Sequence, residues 1–376
     1  MGFANYRKVH VGICATTKTH YTVLGQFLFQ GGINGMKFYR RLKFRYLVGL
    51  LFMVFVANWN CLIADQGSSM GESKFVDVDG VRTRYFEAGQ GEAMVLVHGA
   101  QFGRAAGSSH NWMPIFSSLA KHFHVYALDK LGMGLTDNPS SDKGYWMQAT
   151  VEHIYNFMRV MGIKRVHLVG HSRGALPVAA VLLDHPEMVR TLTVFNSNTL
   201  APGDPVPRSR RGNTIPRTAD SIRQFWEKGF GAFRKDFITE EYVQAELEIA
   251  KQPKIEEAWR RLEVLRKRFA EQNPEKIRSR PALAHSSGTG WWLHEVKDKT
   301  LRRIQEGELK TPTLVIWGYT DPSATYDMGI NLFRLISKSV DRAEFHLFNR
   351  CGHFPYQEYP EEVTNLMVSF IEQAGE

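Results

Sequence analysis

Apolar residues in this chain fall into two rhythms. Short runs rich in valine, isoleucine, leucine and aromatic residues occupy 93–97, 125–128, 166–169, 192–195, 313–317 and 344–348, with the length and composition of strands buried in a sheet. Ahead of them, 75–78 and 81–85 alternate apolar and polar positions around Asp79-Gly80, a dipeptide suited to a two-residue hairpin because both positions tolerate a positive φ. Between the runs the pattern changes to a helical period. The segment 175–183 is apolar throughout, and Ile255, Ala258, Leu262, Leu265 and Phe269 form one stripe opposite Arg260, Arg261, Arg266 and Lys267. Strands alternating with helices predict an α/β fold: a mostly parallel sheet of eight strands, opened by an antiparallel hairpin and flanked by helices. No internal repeat is visible.

The spacing of the runs divides the chain. After the strand at 192–195, residues 201–217 carry four prolines and several arginines, and helical patterns then continue until the strand at 313–317. The expected organisation is a basic leader over 1–69, an α/β core formed by 70–200 and 306–376, and a helical lid inserted as 201–305. Phe225, Trp226, Phe230, Phe233, Trp291 and Trp292 lie in this insertion, where packing within the lid is the expected role for each.

Candidate chemistry sits at the ends of the strands. Gly170-His171-Ser172-Arg173-Gly174 joins the run at 166–169 to the helix at 175–183, and a turn that sharp leaves no room for side chains two residues either side of the serine. Ser172 is therefore a candidate nucleophile, exposed at the N-terminus of a helix whose free N–H groups favour developing negative charge. Gly67-Ser68-Ser69-Met70-Gly71 has the same glycine spacing without the strand and helix, so context and not spacing singles out Ser172. A serine hydroxyl needs an activating base. Asp321 follows the strand at 313–317, and His353 follows the strand at 344–348, giving the chain order Ser, Asp, His. Asp204 is the alternative acid, set in a Pro-Gly-Asp-Pro turn. At the end of the first parallel strand, His98-Gly99-Ala100 supplies a loop whose Ala100 N–H, with that of Arg173, is a candidate oxyanion hole.

In register with those strands, the motifs resemble the α/β-hydrolase fold over roughly 73–375. Asn111-Trp112, Asp129-Lys130-Leu131-Gly132-Met133-Gly134 and Cys351-Gly352-His353-Phe354 are similar to patterns in the carbon-carbon hydrolases of meta-cleavage products and in related carboxylesterases. The resemblance implies a Ser172, His353, Asp321 triad and makes Asn111 a candidate substrate contact, with His98 bracing the oxyanion loop. Two departures stand out. Where the family often reads Asn-Ser-Met, this chain reads His171-Ser172-Arg173, and in 238–246 Glu246 stands where the family carries an arginine for the substrate carboxylate. The implied function is a cofactor-independent serine hydrolase acting on a small or medium apolar ester. The carbon-carbon hydrolase reaction is the nearest alternative, and a non-catalytic ligand receptor on the same scaffold is the alternative of another class.

Composition narrows the partners. Of the 47 cations, eight precede the first acid, Asp65, and the rest of the chain carries 39 cations against 38 acids. A nearly neutral body presents no electrostatic surface for nucleic acid. The eight leader cations instead precede an apolar run at 46–56, extendable to 64, which reads as a signal, a membrane anchor or an over-extended reading frame, Met36 and Met70 being alternative starts. Localisation follows from that segment: membrane-anchored or exported if it is translated and used, otherwise cytoplasmic. Cys14, Cys61 and Cys351 form no disulfide framework, and no metal-ligand spacing occurs among the 14 histidines. No cofactor or metal is expected, and Cys351 is expected to be a small buried filler.

Overall fold

Each apolar run forms a strand in the computed structural model. β1 (Lys74–Val78), β2 (Val81–Ala88), β3 (Ala93–Val97), β4 (His124–Leu128), β5 (Val166–His171), β6 (Val189–Phe195), β7 (Thr313–Gly318) and β8 (Ala343–Phe348) make one eight-stranded sheet in the order β1-β2-β4-β3-β5-β6-β7-β8. β1 and β2 are joined through Asp79 (φ 51°) and Gly80 (φ 86°), both in the left-handed region that a twisted hairpin needs. β1 pairs with β2 and β2 with β4 antiparallel, and every other pairing is parallel. The structure describes residues 69–102, 107–203, 217–284 and 290–375. The chain divides into Met1–Gln66 and Gly67–Glu376, and the fold described is that of the second unit. The apolar segment 46–64 and Asp204 lie outside the described residues. Among the described residues, no helix is long and apolar enough to cross a membrane.

Alternation along the strands sets up two cores, one on each face of the sheet. Val95, Val97, Leu168, Val194 and Val315 belong to one cluster; Met94, Leu96, Val169, Phe195 and Ile316 belong to the other. Each fully buried valine or leucine contributes about 2 kcal/mol from leaving water. The first face is covered by α2 (Met147–Val160) and α3 (Ala175–Asp184), and the second by α1 (Met113–Leu119) and α11 (Pro360–Ala374). Short α10 (Pro355–Glu358) precedes α11, and α9 (Tyr326–Ile336) links β7 to β8.

Between β6 and β7 the chain inserts α4 (Ala219–Lys228), α5 (Glu240–Ala250), α6 (Pro253–Gln272), α7 (Pro274–Ser279) and α8 (Gly290–Gln305). The stripe on α6 packs as its period predicts: Ile255, Ala258, Leu262 and Leu265 are buried. Ile222 and Trp226 of α4, with Tyr242, Val243 and Leu247 of α5, join the second core instead, so the insertion wraps from one face of the sheet to the other.

The parallel pairing of β3 with β5 dictates the local structure at Ser172. β5 ends at His171, Ser172 adopts φ 53°, and a 3-10 turn over Ser172–Gly174 leads into α3. A Cβ at Gly174 would lie 2.4 Å from the Val97 carbonyl oxygen and 2.5 Å from that of His98; one at Gly170 would lie 2.6 Å from Ala175 Cα. Those are backbone atoms and cannot yield cheaply. Gly174→Ala is therefore expected to destabilise the protein by about 3 kcal/mol, read as a drop in denaturant midpoint. Gly375→Ala, whose nearest contacts are an ordinary 3.5 and 3.8 Å, is expected to stay within about 0.5 kcal/mol.

Candidate active site

Four adjacent parallel strands end on one edge of the sheet, and their loops bring the candidate residues together. Ser172 follows β5, Asn196 follows β6, Asp321 follows β7 and His353 follows β8. His353 Nε2 lies 3.0 Å from Ser172 Oγ, and His353 Nδ1 lies 2.5 Å from Asp321 Oδ2. The carboxylate fixes the tautomer, Nδ1–H donating to Asp321, which leaves Nε2 to accept the serine proton.

Asp321 is fully committed. Its Oδ2 also accepts Asn196 Nδ2–H at 2.8 Å, and its Oδ1 accepts the Ser323 N–H at 2.7 Å and Oγ–H at 2.6 Å. Burial by itself raises this carboxyl's pKa, but the His353 imidazole and the bonds from His353 and Ser323 outweigh it and hold the group below its ordinary value. An ionised acid beside the imidazole follows. Asn196, at φ 36°, accepts the Gly318 N–H on its Oδ1 at 3.2 Å, so one side chain ties β7 to the acid. Neither Asn196 nor Ser323 was singled out by sequence. Asp-x-Ser is an Asx-turn pattern that marks Ser323, whereas Asn196 carries no local signal beyond its place after a strand.

The base loop is held from three sides. The His353 N–H donates to the Phe230 carbonyl at 2.9 Å, and the Phe230 ring stacks on the imidazole with centroids 5.5 Å apart. Buried Glu358 accepts the Gly352 N–H at 2.7 Å and the Phe233 N–H at 2.8 Å, linking this loop to the insertion. His171 Nε2–H donates to the His353 carbonyl at 2.9 Å. Burial foremost, and then His353 itself, push the His171 pKa well below its usual value. On the elbow, the Ser172 carbonyl accepts Ser197 Oγ–H at 2.7 Å and Thr199 Oγ1–H at 3.2 Å, which offsets part of the strain of its left-handed backbone.

The loop after β3 lies beside the elbow. Ala100 has φ 58°, and buried His98 donates from Nδ1 to the Gly99 carbonyl at 2.8 Å while its Nε2 accepts the Lys130 N–H at 3.2 Å. Both ring nitrogens are used in the neutral form, and burial lowers the pKa of His98 to about 3. Asp129 supports this region. It takes Arg84 Nε–H at 2.6 Å, the Ser109 N–H and Oγ–H at 2.7 and 2.8 Å, and the Leu135 N–H at 2.8 Å. Arg173 sits half-buried on the elbow itself.

Asn111 belongs to a 3-10 turn over Ser109–Trp112 and forms its capping box: Asn111 Oδ1 accepts the Ser108 N–H at 2.9 Å. Its Nδ2–H donates to Tyr242 Oη at 3.4 Å, so both ends of the amide are taken. Glu246 of α5 is 2 % exposed and accepts Ser108 Oγ–H at 3.2 Å. Of the insertion's aromatics, Trp226 is buried at 5.4 Å from Tyr242 and 5.0 Å from Phe354, centroid to centroid, whereas Phe233 is half exposed. Cys351 is fully buried, its thiol pushed up by burial. Among the described residues, no group of three or more His, Cys, Asp or Glu side chains is arranged to hold a metal ion.

Comparison with known proteins supports the fold. The chain is 26% identical over 316 residues to a 2-hydroxy-6-oxo-6-(2'-aminophenyl)hexa-2,4-dienoic acid hydrolase of Metapseudomonas resinovorans, an alignment covering 84% of this chain and 96% of that one. It is 27% identical over 312 residues to a 2-hydroxy-6-oxononadienedioate/2-hydroxy-6-oxononatrienedioate hydrolase of Paraburkholderia xenovorans (strain LB400), covering 80% and 95% of the two chains. Among solved structures, a meta-cleavage product hydrolase from Pseudomonas fluorescens IP01 superposes with a TM-score of 0.60 at 24% identity, covering 81% of this chain and 99% of that one. The family profile described as alpha/beta hydrolase fold matches residues 92–360, and the chain belongs to the α/β-hydrolase fold family.

Proposed function

We propose that the protein is a cofactor-independent serine hydrolase that attacks a carbonyl carbon with Ser172 and acts on a small or medium apolar ester. The observation that carries this reading is the unbroken chain from Ser172 Oγ through His353 to Asp321, at 3.0 and 2.5 Å. As the Ser172 Oγ–carbon bond forms, His353 Nε2 takes the serine proton and the carbonyl π electrons move to oxygen. The N–H groups of Ala100 and Arg173 receive that oxyanion. Collapse breaks the bond to the alcohol, which leaves with the proton from His353. Water then repeats the sequence, His353 taking its proton, to release the acid and regenerate Ser172.

The character of the insertion favours a neutral substrate. Glu246 occupies the position at which related carbon-carbon hydrolases are expected to hold a carboxylate with an arginine, and a buried carboxyl cannot take over that task. Burial raises the pKa of Glu246 to about 8, the Ser108 bond opposing it only in part and Asp129 adding to it. The side chain is therefore predominantly protonated at neutral pH. A second reading, hydrolysis of a carbon-carbon bond beside a carbonyl, is favoured by the names of the two relatives. In it His353 first moves a proton on a vinylogous keto acid before water or Ser172 attacks.

Two measurements test these readings. Turnover of the full chain on apolar nitrophenyl esters of graded length, set beside aromatic dienoate substrates, is expected to favour the esters. Ser172→Ala or His353→Ala should each lower kcat by at least about 10³-fold. Preference for the dienoates would establish the second reading, and activity unchanged in both variants would remove the triad. The protonation of Glu246 is read from stability. Because its folded pKa is raised, its favourable contribution is complete below the ordinary carboxyl value of 4.5 and is lost as pH rises through about 8. Glu246→Gln does not titrate, so the denaturant midpoints of wild type and variant are expected to run parallel below pH 4.5. Between pH 5 and 9 the variant should gain steadily on wild type.

A further inference from the structure

One buried cation has no part in the chemistry above. Lys130 is completely buried, and its Nζ donates to the Ala100 carbonyl at 2.8 Å. Among the described residues no carboxylate pairs with it, because the neighbouring Asp129 is occupied by Arg84, Ser109 and Leu135. A buried ammonium without an anionic partner costs stability relative to an apolar side chain of the same length, so the fold alone does not account for lysine there. Its surroundings add to the cost. Burial, and after it the Arg173 guanidinium, lower the Lys130 pKa.

The two hydrogen bonds that Lys130 donates converge on one loop. Its main-chain N–H donates to His98 Nε2, and His98 in turn donates to the Gly99 carbonyl. Its side chain takes the carbonyl of the next residue, Ala100, whose backbone is in the left-handed region at φ 58°. A residue with a Cβ occupies that region only when its surroundings hold it there. A hydrogen bond to the residue's own carbonyl is such a hold, and it restricts rotation of the amide on the other side of the same Cα.

We propose that Lys130 is a positioning residue that aims the Ala100 N–H at the oxyanion, by clamping the Ala100 carbonyl from behind. The proposal rests on the serine hydrolase reading. It places the effect of Lys130 in the transition state, where the N–H meets a full negative charge, and not in substrate binding.

Lys130→Met removes the clamp at nearly constant volume. The expected result is a kcat for nitrophenyl esters about 10- to 100-fold lower with KM unchanged within about twofold. A merely structural role is separated by two inhibitors of one chain length. A trifluoromethyl ketone becomes a tetrahedral oxyanion on Ser172, and the parent methyl ketone binds largely as the neutral carbonyl. Lys130→Met should weaken the first by about 10- to 100-fold and leave the second alone. Lys130→Gln, which keeps a donor but shortens the reach, serves if the methionine variant fails to fold, with the same pattern expected. Retention of wild-type kcat in a folded variant, or equal weakening of both ketones, would overturn the proposal. Failure of the hydrolase reading shows separately, since the wild type would then bind the trifluoromethyl ketone no better than Ser172→Ala does.

Discussion

The closeness of β3 to β5 is the constraint on which the rest of this molecule turns. Two parallel strands in direct register bring the loop after β3 against the elbow after β5, and the carbonyl oxygens of Val97 and His98 stand where a Gly174 side chain would have to go. Because no atom separates them, a candidate oxyanion donor and a candidate nucleophile come from neighbouring strand ends without any long side chain bridging the gap. The remaining strands extend the same edge. β6, β7 and β8 lie beyond β5 in sequence order, so Asn196, Asp321 and His353 arrive in the order needed to relay one hydrogen bond to the next. Chemistry at the carboxyl ends of parallel strands near a reversal of strand order is a general property of open α/β sheets.

Strands and their end residues were legible in the sequence because their signals are local. A run such as 166–169 declares itself by β-branched composition, and the glycines around Ser172 declare the turn by what they lack. The order of Ser172, Asp321 and His353 could be read in the same way. Boundaries were less legible: β6 begins at Val189, three residues ahead of its apolar run, because parallel pairing with Val166 draws Val189 into the ladder across a register shift. Least legible was whatever depends on neighbours distant in sequence. Glu246 is marked in the sequence only as a departure from the family pattern; that it is a buried, proton-retaining group follows from the packing of its helix, against the pull of its bond from Ser108. Lys130 enters the sequence only as one residue of the Asp129–Gly134 motif, with no local signal of burial, yet it is among the most buried side chains of the described residues. Asn111 shows the reverse case. Its place in the motif suggested a substrate contact, while its amide is spent on the cap of its own turn and on Tyr242.

The insertion is better understood as a strap than as a separate layer. Its first half packs in the second core through Trp226, Tyr242 and Leu247, and its second half packs in the first core through Leu262 and Leu265. Within the first anchorage, between Trp226 and Tyr242, the Phe230 carbonyl and ring both engage His353, and Glu358 binds the Phe233 N–H and the Gly352 N–H with its two oxygens. The base is thus positioned partly by a segment outside the α/β core, which couples the geometry of the site to the seating of the insertion.

Three imidazoles crowd the reaction centre, and they differ in what they can do with a proton. His98 spends both ring nitrogens on the backbone, and His171 spends its Nε2–H on the carbonyl of His353, its other nitrogen having no hydrogen-bond partner among the described residues. A proton added to either would have to break a bond or sit uncompensated in the interior. His353 differs, since Asp321 stands behind it ready to balance a positive ring. The architecture thereby makes proton uptake a single-address event: of three chemically identical rings within one small volume, two serve as neutral girders, and the charge that reaction creates has one place to go.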